Sequence, residues 1–238
     1  LHTGDVFDIS VLEAERERIA LYLRDRGYYN FSVNNVEYLA DTLGGNRKVG
    51  VKVIIKQNLT GYNIRGEAIY DNNVVYRLRN INIYPRYDAV RAKSRADYFN
   101  RFDTLEYRGL NVIFRGRQPK VRPRVLREAI PLYPNYLYNY SQVSHTYSNL
   151  MAMGYFKSAR INFNEVPDTL GKNLITLVGV DNKSNTSPIN YTRESYLDCD
   201  IYCTPASQQS VKAELEASTT SSFYGLKAVV GYQNRDIF

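Results

Sequence analysis

Apolar residues recur at helical spacing near the start of the chain. The segment from residue 10 to 26 predicts an amphipathic helix, which Ser10 or Asp8 can cap. Its inward stripe runs through Val11, Leu12, Glu15, Ile19, Leu23 and Arg26. Gly27 ends this helix. Residues 28–33 then predict a strand, residues 41–47 a turn, and the alternating apolar positions of residues 49–55 the returning strand of a hairpin.

The stretch from residue 121 to 183 predicts a compact module of two helices and two strands. Helices are expected over residues 121–130 and 138–153, and the second one is ended by Gly154. Its apolar face contains Tyr140, Val143, Tyr147, Leu150 and Met151 at spacings of three and four. Residues 155–166 alternate between polar and apolar, a turn follows at residues 167–171, and the apolar run at residues 173–181 predicts a hairpin.

The same order of elements occurs twice in the chain. A glycine and two aromatic residues follow a helix at Gly27 and again at Gly154, and Asp41 and Asp168 each lie fourteen residues after their glycine. This spacing indicates two tandem copies of a small domain. The alternative, in which any helix, glycine and hairpin give the same match by chance, stays open because that order is common.

Three further segments complete the pattern. Residues 74–84 alternate strongly and predict a strand, which Pro85 ends. Residues 86–108 are polar and rich in arginine, and we expect an insertion with a partly helical tip between two strands. After a polar linker, residues 211–217 and 224–232 alternate again. Such alternation is typical of a transmembrane barrel strand, and soluble antiparallel sheets produce it as well.

Composition and charge narrow the class of protein. The 238 residues include 22 Tyr and no Trp, and 44% hydrophobic content favours a folded, β-containing protein. The formal net charge is +7, while residues 86–127 alone carry a surplus of eight positive charges. The positive charge is therefore local. We expect the chain to be part of a longer protein, since it begins without Met.

Residues capable of catalysis or metal binding do not form a recognisable site in the sequence. The only histidines are His2 and His145, and the Gly44-Gly45 pair lacks the Lys and Ser or Thr of a phosphate loop. Cys199 and Cys203 are too few for a disulfide scaffold and have no nearby His, so a structural or free pair of thiols is expected. We predict no enzyme activity, no cofactor and no metal.

Several segments resemble the bacterial surface antigen family of BamA/TamA-like outer-membrane assembly factors. In that family, polypeptide-transport-associated (POTRA) repeats lead into a β-barrel. Residues 109–116 resemble the opening strand of a repeat, residues 131–138 the loop between its helices, and residues 150–156 (LMAMGYF) the glycine-aromatic turn. Residues 22–31 (YLRDRGYYNF) resemble the same turn. Residues 209–238, with their GYQNR run, resemble the first strands of the barrel.

The resemblance implies an α+β fold of tandem POTRA-like β-α-α-β-β units, each with its second strand at the sheet edge. We predict a partial unit at residues 1–72, which lacks its opening strand and first helix, and a unit at residues 73–184 that carries the insertion 86–108. Residues 185–238 would be a linker and the first barrel-type strands. The implied location is the periplasm, attached to the outer membrane. The implied partners are unfolded outer-membrane protein precursors and other subunits of an assembly or translocation complex.

Residues 155–166 are the predicted site of client binding. A strand at a sheet edge has unpaired backbone groups, and an extended peptide can be added there as a further strand. The side chains assigned to this site are Tyr155, Phe156, Lys157, Arg160, Ile161 and Phe163. The alternative is an edge that is blunted by Lys157 and Arg160 or covered by residues from 185 onward.

The basic segment supports three interpretations. Arginine and lysine interleave with Tyr87, Tyr98 and Phe99, as in sites that bind single-stranded nucleic acid. Anionic lipid head groups would suit the same charges, and a solvated loop is the commonest case. The residues concerned are Arg86, Arg91, Lys93, Arg95 and Arg101. We expect no nucleic-acid partner. A soluble periplasmic adaptor whose insertion binds anionic lipid or nucleic acid is the alternative function.

Overall fold

The computed structural model describes residues 4–41, 48–71, 73–166, 175–176, 192–207, 209–219 and 224–234. Four α-helices are found there: α1 (Ile9–Arg24), α2 (Ala89–Ser94), α3 (Pro123–Ala129) and α4 (Tyr140–Ala152). The first strands are β1 (Val36–Asp41), β2 (Gly50–Ile55), β3 (Asn58–Tyr62), β4 (Ala68–Asp71), β5 (Val75–Tyr84), β6 (Asp103–Tyr107) and β7 (Leu110–Phe114). The remaining strands are β8 (Phe156–Glu165), β9 (Ile175–Thr176), β10 (Thr192–Pro205), β11 (Gln209–Thr219) and β12 (Tyr224–Asn234).

The N-terminal unit consists of helix α1 packed on the antiparallel hairpin β1–β2. Asp8 caps the helix by accepting a hydrogen bond from the Ser10 backbone N–H, as one of the two predicted caps would. Its small core is built around Ala20, Phe31 and Val36. The helix and the returning strand β2 are confirmed. Of the turn predicted at residues 41–47, Asp41 belongs to β1 and the other residues lie outside the described part of the chain. A second hairpin, β3–β4, was not predicted.

The strand predicted for residues 28–33 is wrong. These residues form turns, a short 3₁₀ helix follows at Val33–Asn35, and the strand begins only at Val36. The reason is local hydrogen bonding, since the Ser32 backbone N–H and hydroxyl both donate to Asn35 Oδ1. The Asn35 side chain is itself buried and donates to Asn58 Oδ1. The two glycine corners therefore differ, because β8 begins two residues after Gly154.

The second unit contains a mixed sheet in the strand order β6-β7-β5-β10-β8, with β9 paired to β10. Strand β5 runs parallel to β7 and β10, whereas β8 is antiparallel to β10 and β6 is antiparallel to β7. Helices α3 and α4 contribute to the same core as the inward side chains of the sheet. Its largest buried members are Tyr138, Leu78, Ile81, Ile83, Leu110, Leu126, Ile130, Leu132, Leu150, Leu197 and Ile201.

The strand beside β8 is β10, and the prediction that residues 173–181 occupy that place is wrong. Only Ile175–Thr176 of that run is described, as the short strand β9 beside Thr192 and Arg193. In β10, Leu197, Cys199, Ile201 and Cys203 are fully buried and alternate with polar residues. This alternation fits a strand with one face on the core. A boundary at residue 184 would separate β10 from its sheet, and the domain division stays a prediction.

Two expectations for the insertion also change. The opening strand of the second unit is β5, which pairs with β10, whereas residues 110–114 form β7, which lies between β5 and β6. The helical tip of the insertion is confirmed by α2 and by a 3₁₀ helix at Tyr98–Arg101. Residues 103–107 are not loop but strand β6, which pairs with β7. The insertion thus extends the sheet.

Helix α4 buries a face rotated from the predicted one. Leu150 is buried and Val143 packs against the core, as expected, but Tyr147 is 48% exposed and Thr146 takes its place inside. A hydroxyl can be buried there because Thr146 Oγ1 donates to the Gln142 carbonyl at 2.8 Å. Successive helical residues are turned by about 100°. A shift of one position therefore exchanges a tyrosine for a threonine.

Helix α1 ends against the second unit. Gly27 has a φ of +100°, and a Cβ atom there would come within 2.8 Å of Val75 Cγ1. The Gly27 carbonyl accepts a hydrogen bond from the Tyr76 backbone N–H at 2.8 Å. The Tyr29 ring lies 5.0 Å from the Tyr138 ring and 5.5 Å from that of Phe163. Glycine is required at residue 27 because the two units approach each other closely there.

Strands β11 and β12 form a long antiparallel hairpin in which all side chains with an assigned burial are exposed. The two predicted alternating runs are confirmed as strands. Assignment of this hairpin to a barrel stays a prediction. Within the described ranges, neither length nor hydropathy makes any helix a candidate for spanning a membrane.

Candidate functional site

Among the described strands, β8 lies at one end of the sheet order in the second unit, the position that was predicted for it. Within those residues it pairs with β10 on one side, and no strand is described on its other side. The hydrogen bond from the Val166 backbone N–H to the Tyr196 carbonyl, at 3.0 Å, fixes the phase of this ladder. In an antiparallel pair, alternate residues direct both backbone groups toward the partner strand. The even-numbered residues of β8 from 158 to 164 therefore point their backbone groups at β10.

The odd-numbered residues direct their backbone groups to the other side. These residues are Ala159, Ile161, Phe163 and Glu165, since Lys157 lies at a register irregularity where the simple alternation does not hold. Within the part of the chain that the structure describes, no backbone hydrogen bond reaches the four residues from that side. From residue 159 to 165 the edge thus presents a row of N–H and C=O groups. Such a row is a template for one more strand.

Strand β5, in contrast to β8, has partners for its backbone on both sides. The loop between α3 and α4 runs beside the first half of β5. The Leu78 backbone N–H donates to the Tyr136 carbonyl, and the Tyr138 backbone N–H donates to the Tyr76 carbonyl, both at 2.9 Å. Strand β7 pairs with the second half through Asn82 and Ile83. This side of β5 is therefore occupied along its length.

The six predicted side chains of the site fall into two groups. Lys157 and Arg160 are exposed, as a surface role requires. Tyr155, Ile161 and Phe163 are partly buried against the core. Phe156 is only 3% exposed, so its side chain is a core residue and its place in the predicted edge strand concerns its backbone alone. The accessible groups of β8 are therefore mainly backbone N–H and C=O groups, together with the side chains of Lys157 and Arg160 near its start.

A ladder of polar side chains holds β8 in the sheet from the face opposite the helices. Asn111 Nδ2 donates to Asn82 Oδ1, Asn82 Nδ2 donates to Asp200 Oδ1, and Asn164 Nδ2 donates to Asp200 Oδ2, at 3.0, 2.8 and 2.8 Å. These bonds cross the sheet from β7 to β8. The edge strand is consequently fixed before any partner binds, and this lowers the entropic cost of adding a strand.

Asp198 stabilises an irregularity between β5 and β10. Arg79 forms a two-point ion pair with its carboxylate, and Asn80 donates to Asp198 Oδ1 from its backbone N–H at 3.2 Å and from its side chain at 2.9 Å. The hydrogen bond from Arg79 is the main reason why the pKa of Asp198 lies below its usual value. Register shifts at this point, between Leu197 and Cys199.

The N-terminal unit reaches the far end of β8. Asn30 Nδ2 donates to Glu165 Oε1 at 2.9 Å and to the Tyr76 hydroxyl at 3.0 Å, and Tyr29 packs on Phe163. The end of the edge near Glu165 is thus next to the junction of the two units. A peptide added along β8 would meet the N-terminal unit there.

The basic residues predicted in the insertion do not all lie together. Arg91, Arg95 and Arg101 line one cleft, whereas Arg86 and Lys93 do not. Arg115, which the sequence analysis left out, lines the same cleft because pairing of β6 with β7 brings Phe114 opposite Asp103. Tyr98 is buried and Tyr87 packs against it and against Tyr202, while Phe99 stays exposed.

Cys199 and Cys203 are free and buried on the same inner face of β10, with Ile201 between them, as the expectation of free thiols had it. Burial raises the pKa of both thiols, that of Cys203 to about 12. Thiolates are the reactive form of cysteine. These residues therefore belong to the core. Among the described residues, no group of three or more His, Cys, Asp or Glu side chains could hold a metal ion.

The POTRA family model, described as surface antigen variable number repeat, matches residues 1–58. Residues 1–58 thus resemble a POTRA repeat. The match covers α1, β1 and β2, and it confirms the predicted resemblance to the surface antigen family. The α+β fold class is confirmed as well. The second unit has the element order β5, α3, α4, β8 and β10 with β8 at the edge, which is the order that the POTRA resemblance implied.

Solved structures similar to this chain come from three bacteria. BamA from Haemophilus ducreyi lacking POTRA domains 1–3 has 13% identity and a TM-score of 0.46, and the match covers 97% of this chain and 29% of that chain. Haemophilus influenzae BamA POTRA3–5 has 14% identity and a TM-score of 0.22 over 84% and 83% of the two chains. The N-terminal domain of Omp85 from the thermophilic cyanobacterium Thermosynechococcus elongatus has 8% identity and a TM-score of 0.21, and the match covers 85% of this chain and 87% of that chain.

This chain thus spans 29% of the length of the first of these structures. At TM-scores this low, the three overlays carry no argument about the fold or the site. No curated protein matches the sequence. The POTRA assignment rests on the match to residues 1–58, and the description of the second unit rests on its own strand order.

Proposed function

We propose that this chain is a periplasmic scaffold for outer-membrane protein assembly or translocation, and that its second unit binds unfolded client polypeptide as an added strand on β8. The observation that carries the proposal is the edge position of β8, with one side of its backbone unpaired within the described residues. The POTRA match of residues 1–58 supports the scaffold role, since such repeats occur in BamA-type proteins.

Strand addition suits clients that share no sequence. The backbone of β8 supplies N–H and C=O groups that any extended segment can pair with, and side chains of the client only modulate affinity. Unfolded precursors of membrane barrels are chains of such extended segments. Because each backbone hydrogen bond contributes only about 0.5–1.5 kcal/mol net, binding through one strand is reversible. A client can therefore be passed on.

Charge near the edge favours clients over a second copy of the chain. Lys157 and Arg160 are exposed near the start of β8, and two such edges facing each other would bring like charges together. Exposed lysine on an edge strand is a common guard against uncontrolled strand pairing. Neutral or acidic client segments would not meet this repulsion. The guard predicted as an alternative thus limits self-association and leaves the backbone accessible.

The hairpin β11–β12 supports attachment of this scaffold to the outer membrane through a C-terminal barrel. Its register places apolar residues opposite each other on one face, as in Val211 with Tyr232, Ala213 with Val230 and Ala217 with Leu226. The other face pairs Lys212 with Gly231 and Glu216 with Lys227. One apolar and one polar face at a period of two is the pattern of a strand pair between lipid and lumen.

The Ala159→Pro variant tests the role of the edge. Ala159 directs its backbone N–H away from β10, so proline removes one outward donor without removing a hydrogen bond of the existing ladder. Ala159→Val keeps the N–H and is the matched control. Binding of a labelled ten-residue peptide of alternating apolar and polar residues is measured by fluorescence anisotropy, and far-UV circular dichroism confirms that both variants are folded.

We expect Ala159→Pro to weaken binding by about fivefold to tenfold, as loss of one or more hydrogen bonds implies. Ala159→Val should stay within about twofold of the parent. A peptide that is N-methylated at every residue, and so has no backbone N–H to donate on either side, should not bind. Equal affinity of the methylated and unmethylated peptides would contradict strand addition and would place binding on side chains or on another surface.

A further inference from the structure

Four arginines line one cleft on the insertion. Arg91 and Arg95 lie one turn apart at the end of helix α2, Arg101 ends the 3₁₀ helix, and Arg115 follows strand β7. The cleft has a volume of about 50 Å³ and is further lined by Asp97 and Tyr98. All four guanidinium groups belong to exposed residues. The helical tip of the insertion and the end of β7 thus converge on one small, positively charged depression.

The arginines of this cleft are poorly neutralised. Arg91 forms an ion pair with Asp88 at 3.2 Å, and both side chains are largely exposed. Across the described ranges, Arg95, Arg101 and Arg115 have no ion pair with an acidic side chain. Asp97 is the only carboxylate in the lining, which leaves a surplus of three positive charges. Like charges held together raise the local potential and favour the binding of an anion.

A cluster of aromatic rings holds the cleft in place. Tyr98 is buried beneath it and accepts a hydrogen bond on its hydroxyl from the Asp88 backbone N–H at 2.8 Å. Tyr87 packs edge-on against Tyr98 and against Tyr202 of β10, and its backbone N–H donates to the Cys203 carbonyl at 2.9 Å. The insertion is therefore anchored to the end of the sheet. Its arginines are positioned before a ligand arrives.

We propose that this cleft binds the phosphate groups of anionic lipids at a membrane surface. Guanidinium groups recognise phosphate through paired N–H donors, and four of them surround one depression of phosphate-like size. Apolar side chains stand beside them, since Val90 is 77% and Phe99 is 48% exposed. Basic residues flanked by exposed apolar residues are the pattern of a surface that lies on anionic lipid.

The same geometry disfavours nucleic acid. Binding of single strands uses open aromatic faces on which bases stack. Here Tyr98 is buried, and Tyr87 is enclosed between Tyr98 and Tyr202. Of the three aromatic residues that interleave with the basic residues, only Phe99 is exposed. The lipid surface is therefore the partner that the arrangement fits, and this inference does not depend on strand addition at β8.

Vesicle binding of the 238-residue chain tests the proposal. The chain is sedimented with vesicles of phosphatidylcholine alone and of phosphatidylcholine with phosphatidylglycerol, at low and at physiological salt. The test variant carries Arg95→Gln, Arg101→Gln and Arg115→Gln. The control variant carries Lys48→Gln, Lys52→Gln and Arg65→Gln, which removes the same charge from exposed residues of the N-terminal unit. The difference between the two vesicle compositions isolates the anionic contribution from any binding by the apolar hairpin.

We expect the parent and the control variant to prefer the anionic vesicles, and the cleft variant to lose about a hundredfold in partition coefficient. That figure follows from about a fivefold contribution of each basic side chain near an anionic surface. Phe99→Ser should weaken binding to anionic vesicles and leave any binding of inorganic phosphate unchanged. Equal losses in the cleft and control variants would contradict the proposal. So would binding of inorganic phosphate or of a single-stranded oligonucleotide through these arginines without binding to anionic vesicles.

Discussion

Replacing Asp25 should destabilise the second unit, although this residue ends a helix of the first. Asp25 follows α1, where a negative charge is unfavourable because the carbonyl end of a helix is itself negative. Its carboxylate accepts hydrogen bonds from the Ser141 backbone N–H and hydroxyl, both at 2.8 Å, in the first turn of α4. The Asp25 carbonyl also accepts from Asn139 Nδ2 at 2.9 Å. The unfavourable charge of Asp25 at the end of α1 is thus offset by its hydrogen bonds to the first turn of α4.

The magnitude follows from these contacts. Hydrogen bonds to a charged group contribute about 1.5–3 kcal/mol, and a helix cap contributes about 0.5–2 kcal/mol. Removing the charge from the end of α1 returns about 0.3–1 kcal/mol. The Asp25→Ala variant should therefore lose about 2 kcal/mol in free energy of unfolding. Asp25→Asn, which can still accept one hydrogen bond from Ser141, should lose about half as much.

Urea denaturation followed by far-UV circular dichroism measures this loss. The m-value should be unchanged, since the folded state stays equally compact. Glu17→Ala is the matched control, because Glu17 is an exposed acidic residue of α1 without a described partner. It should stay within about 0.5 kcal/mol of the parent. If Asp25→Ala were no less stable than Glu17→Ala, the contact between the units would have no energetic weight and this reasoning would fail.

Two further predictions concern β10. The pKa of Asp198 is lowered in the folded state, mainly by the hydrogen bond from Arg79, so the ion pair stabilises fully above the unfolded-state pKa of about 4 and is lost as pH falls through the lower folded-state value. Because Arg79 is about half exposed, Asp198→Asn should lower the free energy of unfolding by only about 1 kcal/mol at neutral pH, and by less at acidic pH. Urea unfolding midpoints of parent and variant, measured across this pH range, test the prediction. A parallel pH dependence of the two proteins would contradict it. Burial raises the pKa of Cys199 and Cys203, so neither thiol should react with a disulfide reagent at about pH 8 until urea is added, and rapid reaction of the folded chain would show that β10 opens.

Local periodicity identified the elements better than it identified their partners. Helix α1, helix α4 and strand β5 follow from patterns that lie within one stretch of chain. Strand β10 has an equally clear pattern, with Leu197, Cys199 and Ile201 alternating with acidic residues. The apolar run at residues 173–181 was predicted to be the partner of β8, whereas β10 is its partner in the structure. Periodicity cannot decide between two such runs, because pairing depends on contacts across the sheet.

For the edge strand and the arginine cleft, too, local patterns were predicted correctly and contacts between distant segments were not. The position of β8 at the edge came from the family resemblance, which implies a strand order, and among the described strands β8 lies there. Phe156 was included in the predicted edge strand, and its side chain proves to be buried, which alternation alone does not show because it defines two faces of a strand without saying which one is covered. Arg115 was missed because it joins Arg101 only through the pairing of β6 with β7. Contacts between distant segments leave little signal in a single sequence.

The proton exchange of individual β8 amides in the presence of a client-like peptide tests strand addition most directly. Without peptide, the amides of residues 158, 160, 162 and 164 should be protected by β10, while those of 159, 161, 163 and 165 exchange faster. Nuclear magnetic resonance resolves each amide. Addition of an extended alternating peptide should slow the odd-numbered amides by roughly tenfold or more and leave the even-numbered ones unchanged. Peptide binding with no change at the odd-numbered amides would contradict the account.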